Sequence, residues 1–381
     1  MVWVLSVVIL IWVFAFIDSW FGLRKMVSLQ TIKAQHYDDK ISIIIAARNE
    51  EESIEQTVTS LLQQTYSHFA IIVVNDRSTD RTGTLISELA VANPLVKCLH
   101  IEELPNSWLG KNHALYKGYE VAAGDYLLFT DADIHFHPET INKALTYLKQ
   151  ERADHLTIAP DLYAKTFWLK AFISFFILGF GVFKRPWAAN QDNRKEGGMG
   201  IGAFNLVKRK VYEEIGTHQS IRNRPDDDLQ LGQLIKQKGY KQRLATGLDL
   251  IRVEWYPSLQ AAFKGLEKNT FAGLYYSLPF TIFVLVSIII THLLPFVTLF
   301  SEFLLIQVVS AGAILILLGL YALTTIKMTT FPVWMIFVFP ITTLLFLYST
   351  LRAVSLTYIR GGIEWRGTFY SLRELRNQRN K

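Results

Sequence analysis

Residues 2–17, VWVLSVVILIWVFAFI, are apolar without a break, and the run continues past Asp18 to about Leu23. This approaches the roughly 20 residues a helix needs to cross a bilayer. Three more greasy stretches follow late, at 278–300, 303–326 and 332–351, each long enough to span, with Glu302 and Lys327 in the short joins. Between residues 24 and 270 no window of about 19 residues is apolar enough to join them. The chain must therefore bury apolar helices in lipid and fold one large domain in water. The expected division is an N-terminal transmembrane anchor over 1–23, a water-facing domain over 24–270, membrane segments over 271–356 and a basic tail over 357–381.

A cleaved signal peptide would want a basic start and a small-x-small cleavage site. Neither is present, so the first segment reads as an uncleaved anchor. Arg24 and Lys25 follow it and place the next domain on the cytoplasmic side. Three late crossings would then carry the arginine-rich tail outside, against the positive-inside tendency. One of the three is accordingly expected to be re-entrant or interfacial, with Pro279, Pro295, Pro332 and Pro340 as candidate break points. Residues 166–187, TFWLKAFISFFILGFGVFKRPW, have a short apolar centre with Lys170, Lys184 and Arg185 near the ends. They read as a helix lying in the interface with Trp168 and Trp187 at headgroup depth, a buried core helix being the alternative.

The net charge of +6 admits nucleic acid, an anionic membrane or a phosphorylated substrate. Its distribution decides, because Arg24, Lys25, Lys184, Arg185 and the tail's Arg360, Arg366, Arg373, Arg376, Arg379 and Lys381 gather beside the greasy segments. That favours a membrane surface, and no nucleic-acid module signature is present. A single cysteine, Cys98, rules out a disulfide framework and a cysteine metal site within the chain.

Residues 41–160 alternate strand and helix. ISIIIAA (41–47) has the continuous apolar character of a strand buried on both faces. Ser53 is placed to cap a helix in which Ile54, Val58, Leu61 and Leu62 recur at helical spacing. FAIIVVND (69–76), VKCLHI (96–101), YLLFTD (126–131) and HLTIAP (155–160) supply further strands, with a helix from about Asp80. The pattern predicts an α/β fold with a mostly parallel sheet between helices. Ligands of such sheets bind beyond the carboxyl ends of the strands.

Those ends carry Arg48, Asn49 and Glu50; Asn75 and Asp76; and Asp131, Ala132 and Asp133. Three strands thus deliver acidic residues to one edge. A carboxylate at the end of a buried strand is costly without something positive to hold it. With oxygen donors dominating, that is Mg²⁺ or Mn²⁺, ions that bind through one or two carboxylates plus substrate phosphates. The first turn, AARNEEES, lacks the glycine pattern of a dinucleotide site, and no P-loop lysine motif exists. In NSWLGKNHAL (106–115), Gly110 and Lys111 open a helix. Backbone N–H groups and a cation there suit phosphate, or the lysine is simply exposed. RNRPDDDLQLGQLIKQKGY (222–240) places Asp226, Asp227 and Asp228 at another helix start, more carboxylates than a cap requires. At least one could act as a base toward an attacking hydroxyl. The loop NQDNRKEGGMGIGAFNLVKR (190–209) is polar and then glycine-rich, open to close backbone approach by a ligand or to mobility.

In this order AARNEEESI, VVNDRSTDRT, FTDAD and DDLQLG…KGY resemble the family 2 glycosyltransferases with a GT-A nucleotide-sugar-binding fold, over about residues 41–256. The resemblance implies that Glu50 and Asp76 hold the nucleoside. It makes Asp131 and Asp133 the D-x-D meeting the sugar nucleotide, the second on the metal. Asp227 and Asp228 become the acidic pair, Asp228 being the base unless the register shifts by one toward Asp226 or Asp227. It further implies a UDP- or GDP-sugar donor and inversion by direct displacement. WLGKNHALYKG (108–118) and GGIEWRGTFYSL (361–372) are similar to membrane-anchored lipid glycosyltransferases related to ceramide glucosyltransferase, the hopanoid-type enzymes and the carotenoid-acid glucosyltransferases. They imply that Lys111 contacts the diphosphate and that the tail lies near the membrane. The Q/R-x-x-R-W motif of processive synthases is absent, AAFKGLEKNTFAG (261–273) standing in its place.

The expected function is an inverting, metal-dependent hexosyltransferase facing the cytoplasm. It moves a sugar, with UDP-glucose the expected donor, to a membrane lipid acceptor, and no nucleic acid is involved. The alternatives are a processive polysaccharide synthase and a non-catalytic membrane protein that binds sugar nucleotides.

Overall fold

The computed structural model describes residues 1–365 and 368–372. The motif at 361–372 therefore lies partly outside the described residues, and the basic tail from Arg373 onward wholly so. Two compact units emerge, one formed by Gly22–Leu162 and Lys184–Val253, the other by Met1–Phe21, Tyr163–Phe183 and the described part of Glu254–Lys381.

The first unit is built on one eight-stranded sheet. Its strands are β1 (Ile41–Ala47), β2 (Phe69–Asp76), β3 (Val96–Ile101), β4 (Tyr126–Thr130), β5 (Ile134–Phe136), β6 (His155–Tyr163), β7 (Asn205–Lys208) and β8 (Gln242–Glu254), in the order β3-β2-β1-β4-β7-β6-β8-β5. β3, β2, β1 and β4 run parallel, with Ile43 opposite Ile71 on one side and Leu128 on the other. β7 turns antiparallel to β4 and to β6, and β5 is antiparallel to β8. The sheet is thus mixed, with the parallel strands forming one half.

Strand periodicity divides the core. Ile41, Ile43 and Ile45 point to one face, which they share with Val58, Leu61, Leu128 and Leu156. Ile44 points to the other and meets Ile72, Val74, Ala114, Leu115, Leu127 and Val207. This two-sided burial explains the unbroken apolar run of β1. Helices Ile54–Leu62, Thr82–Ala92 and Gly110–Glu120 follow β1, β2 and β3 in turn. Ser53 stands at the start of the first, but its hydroxyl caps no helical N–H. It donates instead to Glu50 Oε2 at 3.0 Å.

The second unit contains helices long and apolar enough to cross a membrane, by length and composition: Phe167–Lys184, Leu278–Thr298, Leu304–Met328 and Val333–Arg360, with Val2–Arg24 beginning in it. At about 1.5 Å per residue the 18 residues of Phe167–Lys184 extend roughly 27 Å, close to a hydrocarbon core. The prolines fall at helix starts: Pro279 opens Leu278–Ile288, Pro340 opens Phe339–Arg360, and Pro332 precedes a 3₁₀ turn over Val333–Val338. Pro295 follows a wide π-helical turn at Ile289–Leu293, the one irregularity inside that span. Glu267 on helix Leu259–Gly273 pairs with both Arg352 and Arg360.

Candidate active site

The site lies in the first unit, where the carboxyl ends of β1, β2 and β4 meet the starts of helices Gly110–Glu120 and Asp227–Gln237. Asp76 ends β2 and is buried. Arg77 follows it at φ 55°, a left-handed conformation uncommon outside glycine, and its Nε donates to Asp76 Oδ1 at 2.8 Å. Arg48 Nη1 is 3.9 Å from Asp76 Oδ2. Asp76 Oδ2, Arg77 Nη2 and His113 Nδ1 are all buried without a hydrogen bond. Such atoms cost about 1–3 kcal/mol each unless a partner satisfies them. Gly110 lies directly over the pair: a Cβ there would stand 2.1 Å from Asp76 Oδ2 and 2.9 Å from Arg77 Nη2. Glycine is thus required for the helix to begin against Asp76.

One residue on, Lys111 joins the two acidic motifs. Its Nζ is 2.7 Å from Asp131 Oδ1, beyond the end of β4, and 3.6 Å from Asp227 Oδ1. Burial works to lower the lysine pKa, but Asp131, Asp227 and Asp228 outweigh it and hold the ammonium charged, well above its usual range. Asp227 and Asp228 respond in the opposite sense to their surroundings. Burial raises both, and Lys111 pulls both back down. Asp228 accepts from Gly202 N–H at Oδ2 and from Leu229 N–H at Oδ1, both at 2.7 Å. The cleft so formed is lined by Lys111, Thr130, Asp131, Gly202, Asp227 and Asp228, with His218 on its wall.

Asp133 and Glu50 complete the acidic edge. The Asp133 carboxyl is pushed up to about 7, first by the protein displacing water around it, then by repulsion from Asp131 and Glu50, with Lys111 opposing. Glu50 sits at the end of β1, its backbone N–H donating to Thr82 Oγ1 at 2.8 Å. Glu50, Asp131, Asp133, Lys111, Asp227 and Asp228 therefore act on one another across a single edge, with Asp76 reached through Gly110. Asp226 stands apart. Arg224 grips both its oxygens at 3.1 Å, and Gln230 Nε2 donates to Oδ2 at 2.8 Å. Arg224 is thereby committed to a carboxylate, and Arg222 gives its backbone carbonyl to Leu109 N–H at 2.9 Å.

Sequence reading passed over Asn112 and Gly202. Asn112 is buried and donates through Nδ2 to the carbonyls of Ile221 and Arg224 at 2.8 and 3.0 Å, hanging the segment before Asp227 from the Lys111 helix. The signal was an amide beside an expected phosphate ligand, indistinguishable in sequence from a surface asparagine. The glycine-rich loop reads in sequence as open to close approach by a ligand or to mobility. Two of its glycines pack against the protein's own helix and Asp131: a Cβ on Gly200 would fall 1.8 Å from Asp228 O and one on Gly202 2.3 Å from Asp131 Oδ2.

Comparison with known proteins bears on this site directly. Residues 42–216 match the glycosyl transferase family 2 model. A 4,4'-diaponeurosporenoate glycosyltransferase of Staphylococcus aureus strain MRSA252 is 26% identical over 255 residues, and its counterpart in strain USA300 is 25% identical. The match covers 65% of this chain and 64% of the relative, so the chain spans just under two thirds of the relative's length. Among solved structures, the mannosyltransferase PcManGT from Pyrobaculum calidifontis, in complex with GDP-Man and Mn²⁺, aligns over 93% of this chain and 99% of that one, at 15% identity and a TM-score of 0.49. Residues 42–216, the segment that contributes Glu50, Asp76, Lys111, Asp131 and Asp133 to this site, are thus similar to glycosyl transferase family 2.

Proposed function

We propose that the chain is an inverting hexosyltransferase that moves a sugar from a nucleotide-diphosphate donor, UDP-glucose, to a membrane lipid. The observation that carries this reading is the position of Lys111 between Asp131 and Asp227, a cation set between two groups of carboxylates, which supports a diphosphate as its ligand. Asp76 and Arg77 offer an acceptor and a donor atom, both buried and without a hydrogen bond, to the nucleobase. Glu50 supports the nucleoside. Lys111 faces the diphosphate, and Asp228 takes the proton of an attacking hydroxyl whose oxygen bonds to the donor's anomeric carbon as the bond to the nucleoside diphosphate breaks on the opposite face.

The residues fit a divalent cation. Burial first, and then repulsion from Asp131 and Glu50, push Asp133 up to about 7, and the oxygens of Asp131 and Asp133 suit Mg²⁺ or Mn²⁺. Among the described residues no three His, Cys, Asp or Glu side chains converge to hold an ion alone. That accords with an ion held by Asp133 and Asp131 together with substrate phosphates. When bound it would neutralise charge gathering on the departing diphosphate. Asp131 and Asp133 orient the donor at the mouth of the cleft, and Asp227 keeps Lys111 in place.

The relatives' names specify a carotenoid acid, and that class of long apolar acceptor suits a chain with membrane-length helices. A carboxylate acceptor arrives ionised near neutral pH and needs no base, whereas a hydroxyl acceptor does. With Asp226 held by Arg224, the pair Asp227 and Asp228 in the cleft favours the hydroxyl. Full-length protein in membranes, given Mn²⁺ and radiolabelled UDP-glucose, should yield a chloroform-soluble labelled product. A water-soluble polymer would instead indicate a processive synthase, and UDP binding without turnover a non-catalytic binder. The domain faces the cytoplasm in this reading. Cys98, the single cysteine of the chain, reports on it: an impermeant thiol reagent should label it in inside-out vesicles and spare it in right-side-out ones.

A further inference from the structure

We propose that a buried, uncharged hydrogen-bond relay of His155, Gln242, Asn205 and Thr157 is a positioning device for Asp228, acting by locking the Gly202 peptide against it. The inference rests on the reading of Asp228 as the base. The Gly202 peptide bridges the two acidic motifs: its N–H donates to Asp228 Oδ2 at 2.7 Å, and its carbonyl accepts from Asp131 N–H at 3.1 Å. The other backbone donor to Asp228, Leu229 N–H, belongs to the same helix as Asp228 and moves with it. Gly202 is thus the contact that ties the carboxylate to the sheet.

The loop carrying Gly202 is held at nearly every peptide. Met199 N–H donates to Gln242 Oε1 at 2.8 Å, Ile201 N–H donates to Thr157 Oγ1 at 3.0 Å, and the Ile201 carbonyl accepts from Asn205 Nδ2 at 2.9 Å. Thr157 Oγ1 donates onward to the Phe204 carbonyl at 2.9 Å, and Thr130 Oγ1 to that of Ala203 at 2.8 Å. His155 joins the holders. Gln242 Nε2 donates to its Nδ1 at 2.8 Å, and its Nε2 reaches Asn205 Oδ1 at 3.1 Å. Gln242 Nε2 also donates to the Gly232 carbonyl at 3.1 Å, on the helix that carries Asp228, which closes the circuit.

The polarity of this circuit is self-consistent with one tautomer. An imidazole accepting at Nδ1 must donate at Nε2, which lets the Asn205 carbonyl accept while its amide donates to Ile201. A second proton on the ring would face the Gln242 amide donor-to-donor. Burial prevents this by pushing the His155 pKa down to about 4, against the pull of Asn205. His155, Thr157 and Gln242 are fully enclosed and Asn205 nearly so. Apolar residues would fill these strand positions with less risk, since each unsatisfied polar group would cost about 1–3 kcal/mol. Polar groups here hold main chain that apolar ones could not. Their target is fixed sterically as well: a Cβ on Gly232 would come within 2.2 Å of Met199 C and O, so loop and helix touch backbone to backbone.

The full-length chain in native membrane vesicles with labelled UDP-glucose provides the test. His155→Leu removes both ring contacts. We expect kcat to fall about 10–100-fold at unchanged donor KM, the scale of a misplaced catalytic group. His155→Gln, whose amide can accept from Gln242 and donate to Asn205, should recover most of the loss. Added to Asp228→Asn, His155→Leu should cost nothing further. A wild-type kcat in His155→Leu overturns the proposal. So does a donor KM that rises in step with the fall in kcat, or an equal loss in the Asp228→Asn background. Should His155→Leu fail to accumulate, Thr157→Val, which removes the acceptor of Ile201 N–H and the donor to the Phe204 carbonyl and leaves the ring contacts in place, is judged by the same criteria. Full activity in Asp228→Asn alone would instead overturn the assignment of the base, so the two failures are separable.

Discussion

The parallel and antiparallel halves of the sheet hold their functional residues by different means. In the parallel half, β1, β2 and β4 are sealed by apolar side chains on both faces, and the chemistry begins only where the strands end, at Glu50, Asp76, Asp131 and Asp133. In the antiparallel half, polar groups run inside the strands. His155 and Thr157 on β6, Asn205 on β7 and Gln242 on β8 are all buried and bonded to one another or to main chain. One half is a rigid shelf that presents side chains at its rim. The other is a hydrogen-bonded frame that grips a loop. In the proposed reading the donor-facing residues come from the shelf, and the support of Asp228 comes from the frame.

The sharpest way to break this comparison is Asp228→Asn. We predict a loss of kcat of about 10²–10⁴-fold, the usual contribution of a positioned base, with donor KM retained. If donor KM rises instead, the two halves do not divide the labour as described. Lys111→Met should act in the complementary sense and raise donor KM about 10–100-fold, in line with the roughly 1.5–3 kcal/mol of a hydrogen bond to a charged group. Titration of the purified protein with UDP separates the two.

Stability should divide along the same line. Ile45→Ala opens a cavity in the shelf and should cost about 2–5 kcal/mol, read as a large drop in thermal midpoint. Thr157→Val in the frame leaves the Ile201 N–H without its acceptor and should cost about 1–3 kcal/mol. A Thr157→Val loss as large as that of Ile45→Ala would mean that the frame carries the fold as well as the loop.

The last prediction is one of pH. Burial holds His155 down at about 4 and His218 at about 3, both far below the 6.5 of an exposed histidine. The unfolded chain therefore takes up protons that the native one refuses. The stability these two groups supply is complete above pH 6.5 and is lost progressively as pH falls toward 4 and below. The thermal midpoint should decline over that window, and His155→Gln should flatten part of the decline.

The shelf was legible because two-sided burial writes itself as unbroken runs such as ISIIIAA, and strand ends follow from the runs. The segments 41–47, 69–76 and 96–101 are strands over the spans the sequence indicates. The frame was nearly invisible. HLTIAP reads as a strand, but its His155 and Thr157 look like solvent-facing polar alternation, whereas the structure turns them inward to a loop more than 40 residues away. β5, with three residues, is too short to carry a pattern. The same blindness applied to the acidic run 226–228, in which local sequence does not separate Asp226, held by Arg224, from Asp227 and Asp228, which line the cleft.

One small side chain has a mechanical consequence. Asn112 sutures the 221–224 turn to the helix that bears Lys111 through two hydrogen bonds from one amide. In the proposed reading a phosphate drawn to the lysine would also load, through Asn112, the root of the helix that bears Asp228. Arrival of the donor would then be transmitted to the acceptor side as a displacement, before any second substrate has entered.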